Sequence, residues 1–105
     1  MLNQDEINKI IDTIKDRAKP SRIYLFGSYA SGKATDLSDV DLLVVDDSPR
    51  NKNQLALEIS KSLFPRNFGL DLIVASSEEI RNKQRKKLGF WLEITSKGKK
   101  VYEQS

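Results

Sequence analysis

The 105-residue sequence contains no cysteine and no histidine. Without cysteine there is no disulfide framework, no thiolate metal site and no thiol nucleophile. Without histidine the commonest general base, the imidazole of a serine triad and the commonest zinc ligand are all missing. Any catalysis must rest on carboxylates, hydroxyls, lysine, arginine or tyrosine. No apolar run approaches the ~18 residues that a membrane span needs. The opening MLNQDEINKI lacks the basic-then-apolar layout of a signal peptide. A cytoplasmic protein without membrane association is therefore expected.

Hydrophobic residues make up 38% and charged residues 31%, a balance that suits a soluble globule. The length predicts a single domain over residues 1–105. The net charge of +3 is unevenly placed. Residues 1–75 carry 10 basic and 11 acidic side chains, whereas residues 76–105 carry 8 basic and 4 acidic. Asp36, Asp39, Asp41, Asp46 and Asp47 fall within twelve positions. A surplus this small is weak evidence for a nucleic-acid partner.

Ile7, Ile10, Ile11 and Ile14 follow the i, i+3, i+4, i+7 spacing of an amphipathic helix. Asn3 and Glu6 form its capping box, and Pro20 bounds its end. Arg22 to Phe26 reads as a strand running into the small-residue stretch Gly27-Ser28-Tyr29-Ala30-Ser31-Gly32, a turn leading into a short helix. Asp39 to Val45 reads as a second strand, alternating at first and then continuously apolar, hence buried on both faces. Pro49 suits a first helical position. Leu55, Ile59 and Leu63 mark the next helical stripe, and Leu70 to Val74 a third strand. Ser76 and Glu79 fit a second capping box. A basic, largely helical segment follows to about Thr95, with Gly89 as a break, and Lys100 to Glu103 reads as a last strand. This order predicts an α/β (α+β) fold, a small mixed β-sheet with helices packed on it.

Asp39 and Asp41 share one strand face, because strand side chains alternate. Two carboxylates there repel each other, and half-burying them is costly unless a cation compensates. Mg²⁺ suits such a pair, since it takes one or two carboxylates plus substrate phosphates. Asp71 opens the third strand in an otherwise apolar run, and joins the pair if the second and third strands are neighbours. Gly27 permits close approach of a phosphate, and the Ser28 hydroxyl and the amides of the following turn can donate to it. Two Mg²⁺ ions ~3.5–4 Å apart would stabilise the attacking and leaving oxygens of an in-line displacement. Asp71 could then accept the proton of an attacking hydroxyl.

Gly27-Ser28, ten further residues and Asp39-Val40-Asp41 followed by LLVV resemble the signature of the polymerase β-like nucleotidyltransferases. The stretch LFGSYASGKATDLSDVDLLVV is similar to the minimal nucleotidyltransferases (MNT), as are Leu70-Asp71-Leu72-Ile73 and the tail GKKVYE. Ser31 departs from the pattern, since many members carry a basic residue there. The resemblance implies a polymerase β palm-like fold. Its nucleotide site is Gly27 and Ser28, and its catalytic and metal-binding residues are Asp39, Asp41 and Asp71, with ATP as substrate and two Mg²⁺ ions as cofactors. It further implies an antitoxin that transfers AMP to a tyrosine of a HEPN-type helical toxin. The alternatives are an antitoxin that acts by binding alone, or nucleotidyl transfer to a small molecule. A homo-oligomer is compatible with the same reading.

Blander roles are expected elsewhere. Asp36, Asp46 and Asp47 read as turn and cap residues. The run Arg81 to Lys87 reads as a solvated helix face in preference to an RNA-binding surface. Phe90, Trp91, Leu92 and Ile94 read as mostly core, with one or two left over for a partner.

Overall fold

The computed structural model describes all 105 residues. Helix α1 (Gln4–Ala18), strand β1 (Arg22–Phe26), helix α2 (Gly27–Ser31), strand β2 (Val40–Val45), helix α3 (Lys52–Ser62), strand β3 (Leu70–Ala75), helices α4 (Ser77–Arg85) and α5 (Gly89–Lys97) and strand β4 (Lys99–Glu103) follow in order. The sheet runs β3-β2-β1-β4. Strand β1 pairs antiparallel with both β2 and β4, and β2 pairs parallel with β3 through the α3 crossover. The mixed sheet expected from the order of apolar segments is therefore present. No helix is long and apolar enough to cross a membrane.

Alternation divides the apolar side chains between two faces. Ile23 and Leu25 of β1 and Val40, Leu42 and Val44 of β2 join the isoleucine stripe of α1 and Leu55, Ile59 and Leu63 in a 14-residue cluster. Phe26, Leu43, Val45 and Ala75 lie on the opposite face and meet Ile80 of α4 and Ile94 of α5 in a smaller cluster of six. The continuous apolar run in β2 is thus explained by burial on both sides, and its residues 42–45 are fully covered.

Local signals set most helix starts. Asn3 with Glu6 and Ser76 with Glu79 form complete capping boxes. Pro49 does not begin α3. Asn51 caps that helix by accepting the Gln54 amide, and Lys52 is its first residue. The intervening loop is drawn back instead to Asp46, which is buried, contrary to the turn role expected of it. Its carboxylate accepts from Ser48 Oγ at 2.8 Å, Arg50 at 2.8 Å and Lys52 Nζ at 3.0 Å. Arg50 also donates to the Ala18 carbonyl at 2.6 Å, tying the end of α1 to the start of α3. Asp47 does act as a cap, but across the chain: it accepts from the Ser77 amide and hydroxyl at the start of α4.

Burial would raise the Asp46 carboxyl, but hydrogen bonds from Arg50, Lys52 and Ser48 win and lower it from 3.8 to about 2. A carboxyl depressed on folding stabilises the native state above its unfolded pKa, and that contribution is lost as pH falls through the folded value. We expect about 2 kcal/mol of stability to disappear between roughly pH 4 and pH 2. Denaturant titrations across that range should show it, and Asp46→Asn should flatten the dependence. At neutral pH Asp46→Ala should cost about 1.5–3 kcal/mol, the scale of hydrogen bonds to a charged group, because Arg50 and Lys52 are partly exposed and regain water when the carboxylate is removed.

Candidate active site

The β1–β2 register sets Phe26 opposite Asp41, and the β2–β3 register sets Asp41 beside Asp71. Asp41 has the parity of Leu43 and Val45, so it faces the side of the sheet covered by α4 and α5. Asp71 shares that parity with Ile73 and Ala75 on the neighbouring strand. Asp71 thus meets Asp41 as a consequence of strand order, whereas Asp39, expected on the same strand face as Asp41, lies ahead of β2 and outside this register.

Gly27 follows β1 directly and has φ +68°, a left-handed conformation that side chains disfavour. A Cβ there would also collide with the Asp41 carboxylate, so the turn lies immediately against Asp41. Ser28 is half-buried in the same turn. Helix α2 has Phe26 at its N-cap position, with no side-chain cap, unlike α1, α3 and α4. Amides of a first helical turn have no intrahelical partners, and here no side chain takes that role.

Asp39 immediately precedes β2 and is exposed. Its carboxylate lies against Gly69, where a Cβ would collide with it. Gly69 thus matters to the site, a role that no motif in the sequence marks. Its place one residue before the Leu70–Ala75 strand was the available signal. Asp39 and Asp41 line different cavities, yet the charge of Asp39 still acts on Asp41. Asp41 opens into a cavity of about 400 Å³ with Gly27, Ser31, Phe90, Glu93 and Lys97. Asp39 opens into a more polar one of about 460 Å³ with Tyr29, Arg66 and Phe68.

Burial, the largest cause, and then the charges of Asp71 and Asp39 push the Asp41 carboxyl above its usual range. None of these three carboxylates is in an ion pair with lysine or arginine. Asp46 and Asp36, by contrast, are paired, the latter with the N-terminal ammonium. No three acidic side chains converge into a cage that could hold an ion by themselves. The donor set is that of a site completed by ligand oxygens, as Mg²⁺ sites on phosphate substrates are.

The aromatic segment corrects the sequence reading. Of Phe90, Trp91, Leu92 and Ile94, only Ile94 is buried. Trp91 is half-buried, while Phe90 and Leu92 remain 50% and 42% exposed. Helix α5 is nine residues long and lays one stripe on β1, so adjacent apolar positions cannot all reach the core. Phe90 stacks edge-on against Phe26, with ring centroids 5.9 Å apart, and walls the cavity above Gly27. Helices α4 and α5 meet through Gln84 Nε2 donating to Thr95 Oγ1 at 2.8 Å. Lys87 takes a left-handed conformation at the bend between them, close to the break expected at Gly89.

Comparison with known proteins agrees with this architecture. Residues 8–105 match the family model described as polymerase beta, nucleotidyltransferase. No curated protein sequence matches the chain. Among solved structures, one from Sulfolobus solfataricus described as a candidate nucleotidyltransferase superposes with a TM-score of 0.62 at 17% identity. That match covers 95% of this chain and 79% of the other. A chain of a toxin–antitoxin complex solved with AMP-PNP is 26% identical, with a TM-score of 0.58 and coverage of 93% and 73%. The complex of a tri-AMPylated Shewanella oneidensis HEPN toxin with its MNT antitoxin gives 24% identity, a TM-score of 0.58 and coverage of 98% and 74%. The match over residues 8–105 spans the Gly-Ser turn, the paired strands that carry Asp41 and Asp71, and both helices beside them, and by it this chain belongs to the polymerase β-type nucleotidyltransferase family.

Proposed function

We propose that this chain transfers AMP from ATP to a hydroxyl, that of a tyrosine, on a helical HEPN-type toxin, and so serves as the antitoxin of a pair. The observation that carries the reading is the uncompensated carboxylate group. Asp41 lies against the Gly27 turn, in register with Asp71, and its carboxyl is raised by burial and by its acidic neighbours. Such a group gains most from a ligand that brings cations and phosphates together. The toxin–antitoxin complexes among the structural neighbours, one with AMP-PNP and one with an AMPylated toxin, support the same reading.

In this mechanism Gly27 admits the triphosphate to the backbone, and Ser28 donates to a phosphate oxygen. Asp39 and Asp41 would hold Mg²⁺ with the phosphates, and Asp71 would join them. Bound there, Mg²⁺ would neutralise the phosphate charge and make the α-phosphorus more electrophilic. The tyrosine oxygen attacks the α-phosphorus, the bond from that phosphorus to the bridging oxygen of the β-phosphate breaks, and pyrophosphate leaves. Asp71, on the edge strand and open to the acceptor, takes the hydroxyl proton.

Asp41→Ala should abolish AMP transfer and leave the fold intact or stabler, because like-charge repulsion is relieved. Asp39→Ala should likewise abolish transfer. Asp71→Asn should keep ATP affinity within a few-fold and slow transfer by ~10²-fold or more. Intact-mass measurement of the toxin after incubation with ATP and Mg²⁺ reads both effects. A toxin inhibited by the wild-type chain without any gain of mass would identify an antitoxin that acts by binding alone.

The partner would dock on α4 and α5, residues 78–97. Leu88, Phe90 and Leu92 are exposed there, beside the basic side chains of α4. Apolar anchors within a charged rim are usual at protein interfaces. Reversing the charge of Lys83, Arg85, Lys86 and Lys87 together should slow toxin association at low salt and reduce toxin modification in nucleic-acid-free samples. Unchanged toxin binding with loss of RNA retention would instead assign this face to nucleic acid.

A further inference from the structure

This inference rests on the adenylyl-transfer reading and concerns how the nucleotide is held. A triphosphate entering the site meets Asp41, Asp71 and Asp39, none of which is paired with a basic side chain. The turn that would cradle it, Gly27–Ser31 (GSYAS), carries no charge of its own. Beyond what Mg²⁺ would supply, a basic side chain at the phosphates has to come from another element of the fold.

The cavity on Gly27 and Asp41 has one basic side chain in its lining, Lys97, the last residue of α5. Its place is fixed by the next residue. Gly98 lies so close to the Ile94 carbonyl that a Cβ would collide with the helix end, and it would also crowd the Leu25 carbonyl of β1. The end of α5 is thereby held against β1 two residues before Gly27. Lys97 Nζ is 3.3 Å from Glu93 one turn back, and both side chains are mostly exposed, at 78% and 65%. Exposed pairs of this kind contribute little and exchange partners readily. The lysine stem is flexible, and its ammonium is a compact charge suited to a phosphate chain.

We propose that Lys97 is a nucleotide-positioning residue. Its ammonium leaves Glu93 and binds the phosphates of the incoming nucleoside triphosphate, supplying from α5 the positive charge that the Gly27–Ser31 turn lacks. The ligand class is a polyphosphate, and the contact is made to the phosphate chain and not to the base.

Calorimetric titration of the full chain with ATP and with inorganic tripolyphosphate, each with Mg²⁺, tests the assignment. Lys97→Met should weaken both ligands about ten-fold, the scale of one hydrogen bond to a charged group. Lys97→Arg should stay within about three-fold, since it retains the charge. In transfer assays Lys97→Met should raise KM for ATP and leave kcat within a few-fold. Glu93→Gln breaks the same ion pair but keeps the lysine, so ATP affinity should be retained or improved. If Glu93→Gln reproduces the loss, the pair is structural and the proposal fails. If the wild-type chain binds ATP and Lys97→Met binds it equally well, Lys97 is not a phosphate contact, and the adenylyl-transfer reading stands without it. A wild-type chain that binds neither ATP nor tripolyphosphate overturns both.

Discussion

Strand β2 is the constraint from which the rest of the structure follows. Its residues 42–45 are completely buried, so both faces of the sheet must be covered at this strand. One face receives α1 and α3, and the other α4 and α5. The same strand carries Asp41 at its open end, where cover from the helices thins and the carboxylate remains half-exposed. Sliding β2 by one residue against its neighbours would turn Asp41 into the larger cluster and expose the leucines and valines. The hydrophobic core therefore fixes the register, and the register fixes the position of the carboxylates.

Two carboxylate groups on this small chain show opposite solutions to the burial of charge. Asp46, just beyond the far end of β2, is satisfied within the fold by Ser48, Arg50 and Lys52, and its carboxyl falls to about 2. Asp41, at the near end, makes no ion pair and is raised by burial and by the charges of Asp71 and Asp39. The first arrangement stabilises the connection from β2 into α3. The second leaves electrostatic energy unrelieved at the mouth of a cavity, a pattern typical of sites that bind charged ligands. An apolar strand with an internally paired aspartate at one end and an unpaired one at the other separates structural from functional use of the same residue type.

Close backbone approaches support the unpaired end. Gly27 and Gly69 give room to the carboxylates of Asp41 and Asp39, and Gly98 lets the end of α5 settle on β1. These glycines come from three distant parts of the chain, yet they gather at one end of the sheet. Helix α5 brings Phe90 and Lys97 to that end and leaves Leu92 facing outward. The helix that closes one side of the smaller core thus also shapes the wall of the cavity and an exposed apolar surface.

Local chemistry made much of this legible from the residues alone. The capping boxes at Asn3 and Ser76, the isoleucine stripe of α1 and the continuous apolar run of β2 each depend on neighbours within a few positions. The Gly-Ser turn is likewise local, and strand alternation places Asp41 with Leu43 and Val45, whereas Asp39 lies ahead of β2 and lines another cavity, so the shared strand face expected for the two was not settled by spacing alone. Strand order was not local: Asp71 reaches Asp41 only because β3 pairs with β2 in parallel through α3. The burial of Asp46 depended on Arg50 and Lys52 folding back from a loop in which Pro49 had suggested a helix start. The exposure of Phe90 and Leu92 was also beyond the sequence, because a run of bulky residues shows that some must be buried but not which face meets β1. Alternation and capping act over a few residues and are written in the chain, whereas packing direction and charge pairing depend on segments that meet only after the sheet has closed.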